Sequence, residues 1–260
     1  MFKRVLCVIF ALASLSAPCL ADRYSKHEPT SVPTTWSGLF VGLNAGGAWD
    51  RSSHSLAPTG NFLSPPFDVF NPLRTRGGDL DDAALIGGVQ AGLNYQMGSI
   101  VVGFEGDINR VSLSGSDSAI ANLAAPLLGT MAYDIDQRLS WLATLRARLG
   151  YATSGGLLIY ATGGLAVGRI ESSTFVQFSS AGDTYTGSMS DTRTGWAFGG
   201  GFEQAIDRNW SLKADILWVD LGSASYVSPE RTGFAGFSYT TRTEFEEVVA
   251  RVGINYKFGQ

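Results

Sequence analysis

Chemistry needs a nucleophile, a proton acceptor or a cation ligand at a defined spacing, and this chain supplies few of each. Its only imidazoles are His27 and His54. Both fall in stretches without strand character, and neither has the serine or aspartate partner that an activated nucleophile requires. Cys7 and Cys19 are the only cysteines and lie in the first 21 residues, so the rest of the chain has no disulfide and no thiolate ligand. No run carries a metal-ligand spacing, and no cofactor is expected. The glycine-rich segment SGLFVGLNAGGAWD, residues 37–50, lacks the strand–loop–helix context and the lysine of a phosphate loop. What remains is a set of charged residues inside apolar alternation: Glu105, Asp107, Arg146, Arg148, Glu203, Lys213, Asp215, Arg251 and Lys257. Charges in such a setting must be paired, and losing one partner costs about 3–5 kcal/mol. The expected pairs are Glu105 and Asp107 with Arg146 and Arg148, and Asp215 with Arg251. Their first reading is an internal strut of ion pairs. A pore lining or gate is the alternative, and a catalytic carboxylate pair comes third.

To share one interior, these residues need elements that alternate faces. Eight segments do so with period two: 37–50, 83–95, 100–112, 139–151, 157–170, 193–205, 210–222 and 244–258. Each is longer than the roughly 9–11 residues with which a tilted strand crosses a bilayer. Short connectors at 96–99, 152–156 and 206–209 alternate with long ones at about 51–82, 113–138, 171–192 and 223–243. Pro58, Pro65, Pro66 and Pro72 disfavour strands in the first long connector. The expected fold is all-β: an eight-stranded antiparallel up-and-down transmembrane β-barrel with short periplasmic turns and four long extracellular loops.

The two faces sharpen this expectation. In the last segment Val248, Ala250, Val252, Ile254, Tyr256 and Phe258 share one face, opposite Arg251, Gly253, Asn255 and Lys257. A soluble sandwich also alternates, but it buries its large aromatics centrally. Here the apolar face carries them at its ends. Trp49, Trp141, Trp196 and Trp218 fall at the long-connector level, and Tyr95, Tyr151, Trp210, Tyr256 and Phe258 at the short-turn level. Two such girdles suit the headgroup levels of a bilayer. Thirteen strand glycines, among them Gly42, Gly92, Gly164 and Gly199, take the inward face against five outward. They leave room in a narrow lumen and let curved strands bend.

Residues 1–21, MFKRVLCVIFALASLSAPCLA, have the basic, apolar and small-residue regions of a secretory signal peptide. The apolar run is short of the roughly 20 residues of a membrane anchor, and Pro18 makes Cys19 a poor lipoprotein site. Residues 22–35 read as a flexible periplasmic leader and 36–260 as the barrel. Removal of the signal leaves 17 basic against 23 acidic side chains, a net charge of −6 that argues against nucleic acid. Asp79, Asp117, Asp134, Asp136, Asp183, Asp191 and Glu230 give the long connectors an acidic surface, at the level of lipopolysaccharide. The apolar residues Ala119 to Leu128 are expected to fold over the mouth or form a short helix.

The stretch from Trp36 to Gly46 (WSGLFVGLNAG) resembles the opening strand of the opacity-type porin or outer-membrane immunogenic protein family of alphaproteobacteria. The pieces from Gly195 to Glu203 (GWAFGGGFE) and Val252 to Phe258 (VGINYKF), with the proline-bearing leader, resemble it as well. Membership implies an eight-stranded outer-membrane barrel that is abundant, surface-exposed and often immunogenic. Its implied partners are outer-membrane lipid and lipopolysaccharide, with periplasmic chaperones and the barrel-assembly machinery during biogenesis. Such chains usually end on an aromatic residue, whereas Gly259 and Gln260 follow Phe258 here. The expected role is structural and antigenic, with a lumen filled by ion pairs. The alternatives are a channel for small solutes and a loop-based receptor or adhesin whose host or small-molecule ligand is unknown; an enzyme comes last.

Overall fold

A computed structural model describes residues 35–64, 76–80, 83–123, 129–179, 182–233 and 236–259. The segment expected to be a signal peptide (residues 1–21), nearly all of the expected leader (22–35), and His27 lie outside the described residues.

The strands are β1 (Gly38–Asp50), β2 (Ser52–Gly60), β3 (Arg76–Leu80), β4 (Ala83–Met97), β5 (Ile100–Leu123), β6 (Gly129–Ala152), β7 (Leu157–Phe178), β8 (Thr184–Ala205), β9 (Trp210–Pro229) and β10 (Phe237–Lys257). They form one antiparallel sheet in which β1 and β4 to β10 follow one another as neighbours. Pairing of β1 with β10, from Phe40–Lys257 to Asp50–Glu247, completes the circuit. At the level of β1, closure removes the exposed edges that an open sheet of this length would carry; above it, β3 and the upper half of β5 each pair on one side only among the described residues.

The count is therefore ten segments rather than the expected eight. Arg51 interrupts what would be one stave, so β1 pairs with the lower part of β10 and β2 continues along its upper part, Glu244 to Phe237. β3 pairs in turn with β2. The long connectors are corrected as well. Most of 113–138, 171–192 and 223–243 is strand, because β5 to β10 each run for 20–24 residues. Two physical reasons account for this. A continued ladder satisfies the backbone hydrogen bonds, and the inward positions there bury a second apolar set, including Leu56, Ile135 and Val176. Pro58 is tolerated because β3 reaches β2 only as far as Leu56, leaving the proline on a strand with one paired side. Ala119 to Leu123 pair with β6 as strand rather than forming a helix or folding over the mouth, and Ile120 is exposed. Residues 124–128 lie outside the described set.

Side-chain alternation survives along most staves and switches at two places. A bulge between Leu139 and Trp141 turns Leu139 inward, against the outward placement expected from uninterrupted alternation. In β9 the inward positions are odd up to Leu221 and even from Ala224, across Gly222 with φ of 74°.

Inward glycines mostly meet the neighbouring strand closely, whereas outward ones are mixed: Gly200 meets the Tyr160 carbonyl oxygen at 2.7 Å and Gly47 the Trp49 ring at 2.9 Å. At Gly92 a Cβ would lie 2.5 Å from the Phe40 ring, so this glycine gives the ring its place in the lumen. At Gly164 and Gly199 the obstacle is the neighbouring strand, with the Arg146 and Leu217 Cα atoms at 2.7 and 3.0 Å. Outward Gly163 and Gly106 meet nothing closer than 3.6 Å. Much of the inward glycine thus serves tight coiling of the wall, beyond making room for charged side chains.

Candidate functional site in the barrel lumen

The lumen is built in layers, each set by which staves place residues inward at one level. At the short-turn end Trp36, Val101, Ala152, Leu158 and Tyr160 form an apolar base. Lys257 sits there too, its Nζ 4.7 Å from the Trp36 ring and donating to the Thr35 carbonyl at 3.2 Å.

Above the base lies the charged belt. Arg146 donates to Glu105 at 2.7 Å, to Asp107 at 2.6 Å and, through Nε, to Thr144 at 2.9 Å. Arg251 grips both Asp215 oxygens at 3.0 Å and reaches Asp107 at 3.1 Å. Lys213 joins Asp215, at 3.2 Å, to Glu105. The contacts form a ring of alternating sign: Glu105, Lys213, Asp215, Arg251, Asp107, Arg146 and back to Glu105. Arg148 branches from it, 3.8 Å from Glu105 and 2.5 Å from Glu203, with its guanidinium 3.7 Å from the Tyr160 ring centre. Four cations meet four anions, so the belt carries no net charge.

The expected pairs of Arg146 with Glu105 and Asp107, and of Arg251 with Asp215, are present. Arg148 takes Glu203 across the lumen as its short partner. Lys257, expected within the network, stands outside it at the barrel end. Sequence reasoning missed the neutral polar residues that complete the belt. Gln90 donates to Asn255 at 2.6 Å, Asn255 to Glu203 at 2.8 Å, Ser211 to Glu203 at 2.5 Å and Asn109 to Asp107 at 2.6 Å. Their inward alternation was the available signal, since an amide at an inward strand position must find a partner when buried.

The next layer is apolar and was also missed. Ile86, Val111, Leu113, Leu139, Leu142, Ile170, Leu217, Val219, Leu221, Phe245 and Val249 all bury their side chains in one cluster. Higher still, polar groups return. His54, expected in a loop, is buried on β2, with Nε2 3.2 Å from Asp117, and the Tyr133 hydroxyl donates to the same Asp117 oxygen at 3.2 Å. Thr174 links Tyr226 and Thr241 at 2.7 and 2.9 Å. Phe62, Phe178, Tyr185, Phe237 and Tyr239 close the far end in edge-on contacts. Among the described residues no group of three or more His, Cys, Asp or Glu side chains is arranged to hold a metal ion. What this interior offers chemically is a set of cross-strand ion pairs and hydrogen bonds that link the staves.

Outside, Trp49, Tyr95, Tyr151, Trp196, Trp210 and Phe258 are exposed, while Trp141, Trp218 and Tyr256 are half-buried on the same outer face. Trp210, Tyr256 and Phe258 pack edge-on at the short-turn end, and Arg51 lies over Trp218 at the other.

Residues 7–258 match the family described as the outer membrane protein beta-barrel domain. The chain belongs to that family. It is 33% identical over 253 residues to the 31 kDa outer-membrane immunogenic protein of Brucella melitensis, covering 96% of this chain and 95% of that one. To the 22 kDa outer membrane protein of Rhizobium leguminosarum bv. viciae it is 24% identical over 258 residues, covering 96% and 95%. Among solved structures, the outer membrane protein OprG of Pseudomonas aeruginosa aligns with a TM-score of 0.50 at 13% identity, over 88% of this chain and all of that one, which shows a common fold. The chain is an outer-membrane β-barrel protein of a Gram-negative bacterium, with immunogenic outer-membrane proteins among its relatives.

Proposed function

We propose that the protein is a closed barrel with a structural and surface-antigen role, stiffening the outer membrane and holding its long strand ends above it. The observation that carries this reading is the apolar layer stacked on the neutral ion-pair belt. Leu142, Ile170, Leu217 and Phe245 are each at most 1% exposed. A solute would have to part both layers, and an ion would meet a belt whose charges are already paired. An eight-stave ring is narrow enough for side chains to fill it.

Trp141 and Tyr151 are ten residues apart on β6. At about 3.3 Å per residue and a tilt of about 40°, that is about 25 Å of height, the depth of an outer-membrane apolar band. In this orientation the short turns are periplasmic and the extended upper wall faces outward. The immunogenic relatives fit a wall displayed at the cell surface. Planar-bilayer recording of refolded protein tests the reading. The expected outcome is an absence of steady openings; stable, charge-selective openings would sink it in favour of a channel.

A further inference from the structure

The apolar layer of the lumen is interrupted where β1 meets β10. Glu247 lies between Phe245 and Val249 on the inward face of β10, and its ladder partners are Asp50 of β1 and Val219 of β9. Asp50–Glu247 is the top rung of the β1–β10 ladder, the pairing that closes the barrel. Glu247 is 2% exposed and Asp50 4%, and Asp50 is the charged neighbour that acts on Glu247. Among the described residues no lysine or arginine lies within ion-pair distance of Glu247, and its Oε2 has no hydrogen-bond partner. Arg251, two inward positions below, is taken by Asp215 and Asp107. Arg51, next to Asp50 in the chain, lies over Trp218 on the outer face. Just above the rung, the Ser52 N–H donates to Asp50 at 2.7 Å, and Ser52 Oγ accepts from Gln137 Nε2 at 3.1 Å across the lumen. That bond brings the Gln137 amide beside Asp50. Its Oε1, on a side chain only 5% exposed, has no partner either.

We propose that Glu247 and Asp50, with the Gln137 carbonyl and Ser52 hydroxyl oxygens beside them, bind a calcium ion inside the barrel. Three features select a hard divalent cation. A carboxylate with an orphan oxygen among apolar side chains stays ionised only with a positive partner, and the described residues offer Glu247 none. The Gln137 amide spends a donor on Ser52 and keeps its acceptor, the end that a cation uses. All four side chains present oxygen, the donor that calcium takes and that softer metals pass over. With only two carboxylates, the site draws its remaining ligands from neutral oxygens. Magnesium holds on to several of its waters, which the side chains of Phe245, Val219 and Val249 would leave without partners, so calcium is the better occupant. A cation bridging the two carboxylates offsets their mutual repulsion. It also clamps β1 to β10 at the upper end of the closing ladder.

The test refolds the full chain in neutral detergent with calcium or with a chelator. Calcium retained per folded barrel is measured after desalting, and heat-modifiable gel migration checks the fold. Wild type is expected to retain about one calcium ion per chain and to have a higher guanidinium midpoint with calcium than with chelator, because a ligand of the folded state stabilises it. Glu247→Gln is expected to weaken calcium affinity by at least about tenfold and to abolish the midpoint difference. Asp220→Asn with Glu246→Gln, a carboxylate pair on the outer face of β9 and β10, is expected to change neither. In chelator Glu247→Gln should be at least as stable as wild type, because the amide keeps the volume and removes the unpaired charge. Should it not migrate as a folded barrel, Asp50→Asn carries the comparison with the same tenfold loss expected, about one decade in affinity. Equal wild-type midpoints with calcium and with chelator overturn the proposal. They do so even where the midpoint responds to pH, since a shared proton would then hold the pair. Undiminished calcium affinity in Glu247→Gln, or its loss in the outer-face variant instead, places the ion elsewhere and also overturns it. Equal affinity for magnesium overturns the choice of calcium.

Discussion

At the scale of single residues, burial has different consequences for groups that pair and groups that cannot. Every belt charge has a counter-charge within 3.2 Å, which is the condition for keeping ions out of water at tolerable cost. Tyr185 and Tyr239, at the upper end of the lumen, are buried beside each other rather than beside a cation. Burial holds the Tyr239 hydroxyl far above the usual range, and Tyr185 beside it adds to the effect. Tyr185 is raised first by burial and then by the negative charges of Asp183 and Glu230. Both shifts favour the protonated form in the fold. Their contribution to stability is therefore complete below the ordinary tyrosine value of about 10 and is lost as pH rises through the folded values. Phenolate absorbance checks this. Near pH of about 10, wild type and Tyr185→Phe with Tyr239→Phe should titrate alike, and the two missing phenols should show only after denaturation. Two extra phenols ionising in the folded wild type would contradict it. These positions were not legible in the sequence, because Tyr185 and Tyr239 lie where the outward residues are serine, threonine and glycine, and the whole stretch reads as a connector.

Elements were legible where the two faces differ in polarity. Within the bilayer the outward face must be apolar and the inward face carries charge and glycine, so alternation marked β1, the lower halves of β4 to β9 and the end of β10. Above the girdle the contrast inverts. The inward positions are apolar, as at Ile135 and Val176, and the outward ones are polar, as at Asp136 and Ser173. That inversion, with the bulges beside Trp141 and Gly222, ended each segment too early. The glycines illustrate a second limit. Their inward parity was readable, but the neighbouring-strand contacts behind it were not. Gly199→Ala would drive a Cβ into the Ile216 carbonyl oxygen and to 3.0 Å from the Leu217 Cα, and crowding of this kind costs at least about 1–3 kcal/mol. Gly163→Ala meets nothing nearer than 3.8 Å and should be neutral or stabilise by up to about 1 kcal/mol through the unfolded chain. The guanidinium midpoint of heat-modifiable migration measures both. Equal shifts for the two variants would remove coiling of the wall as the reason for inward glycine.

At the scale of the whole molecule, the belt and the apolar layer act as barriers in series. Permeation through stacked barriers is limited by whichever remains, so opening either layer alone should leave the barrel shut. Leu142→Ala with Leu217→Ala hollows the apolar layer from the β6 and β9 walls. Each change costs about 2–5 kcal/mol, which a barrel with stability in the usual range of about 5–15 kcal/mol can carry with little margin. Arg251→Ala with Asp215→Ala removes a bidentate pair together and leaves Asp107 with Arg146 and Lys213 with Glu105. Neither double variant should give steady openings in planar bilayers, whereas the quadruple variant should, provided it migrates as folded barrel. Conductance in the Arg251 and Asp215 variant equal to that of the quadruple would mean that the apolar layer does not seal, and that the belt alone sets permeability. Such a result would shift the functional assignment toward a gated channel, because one ion-pair network is far easier to rearrange than two unlike layers sharing only the wall.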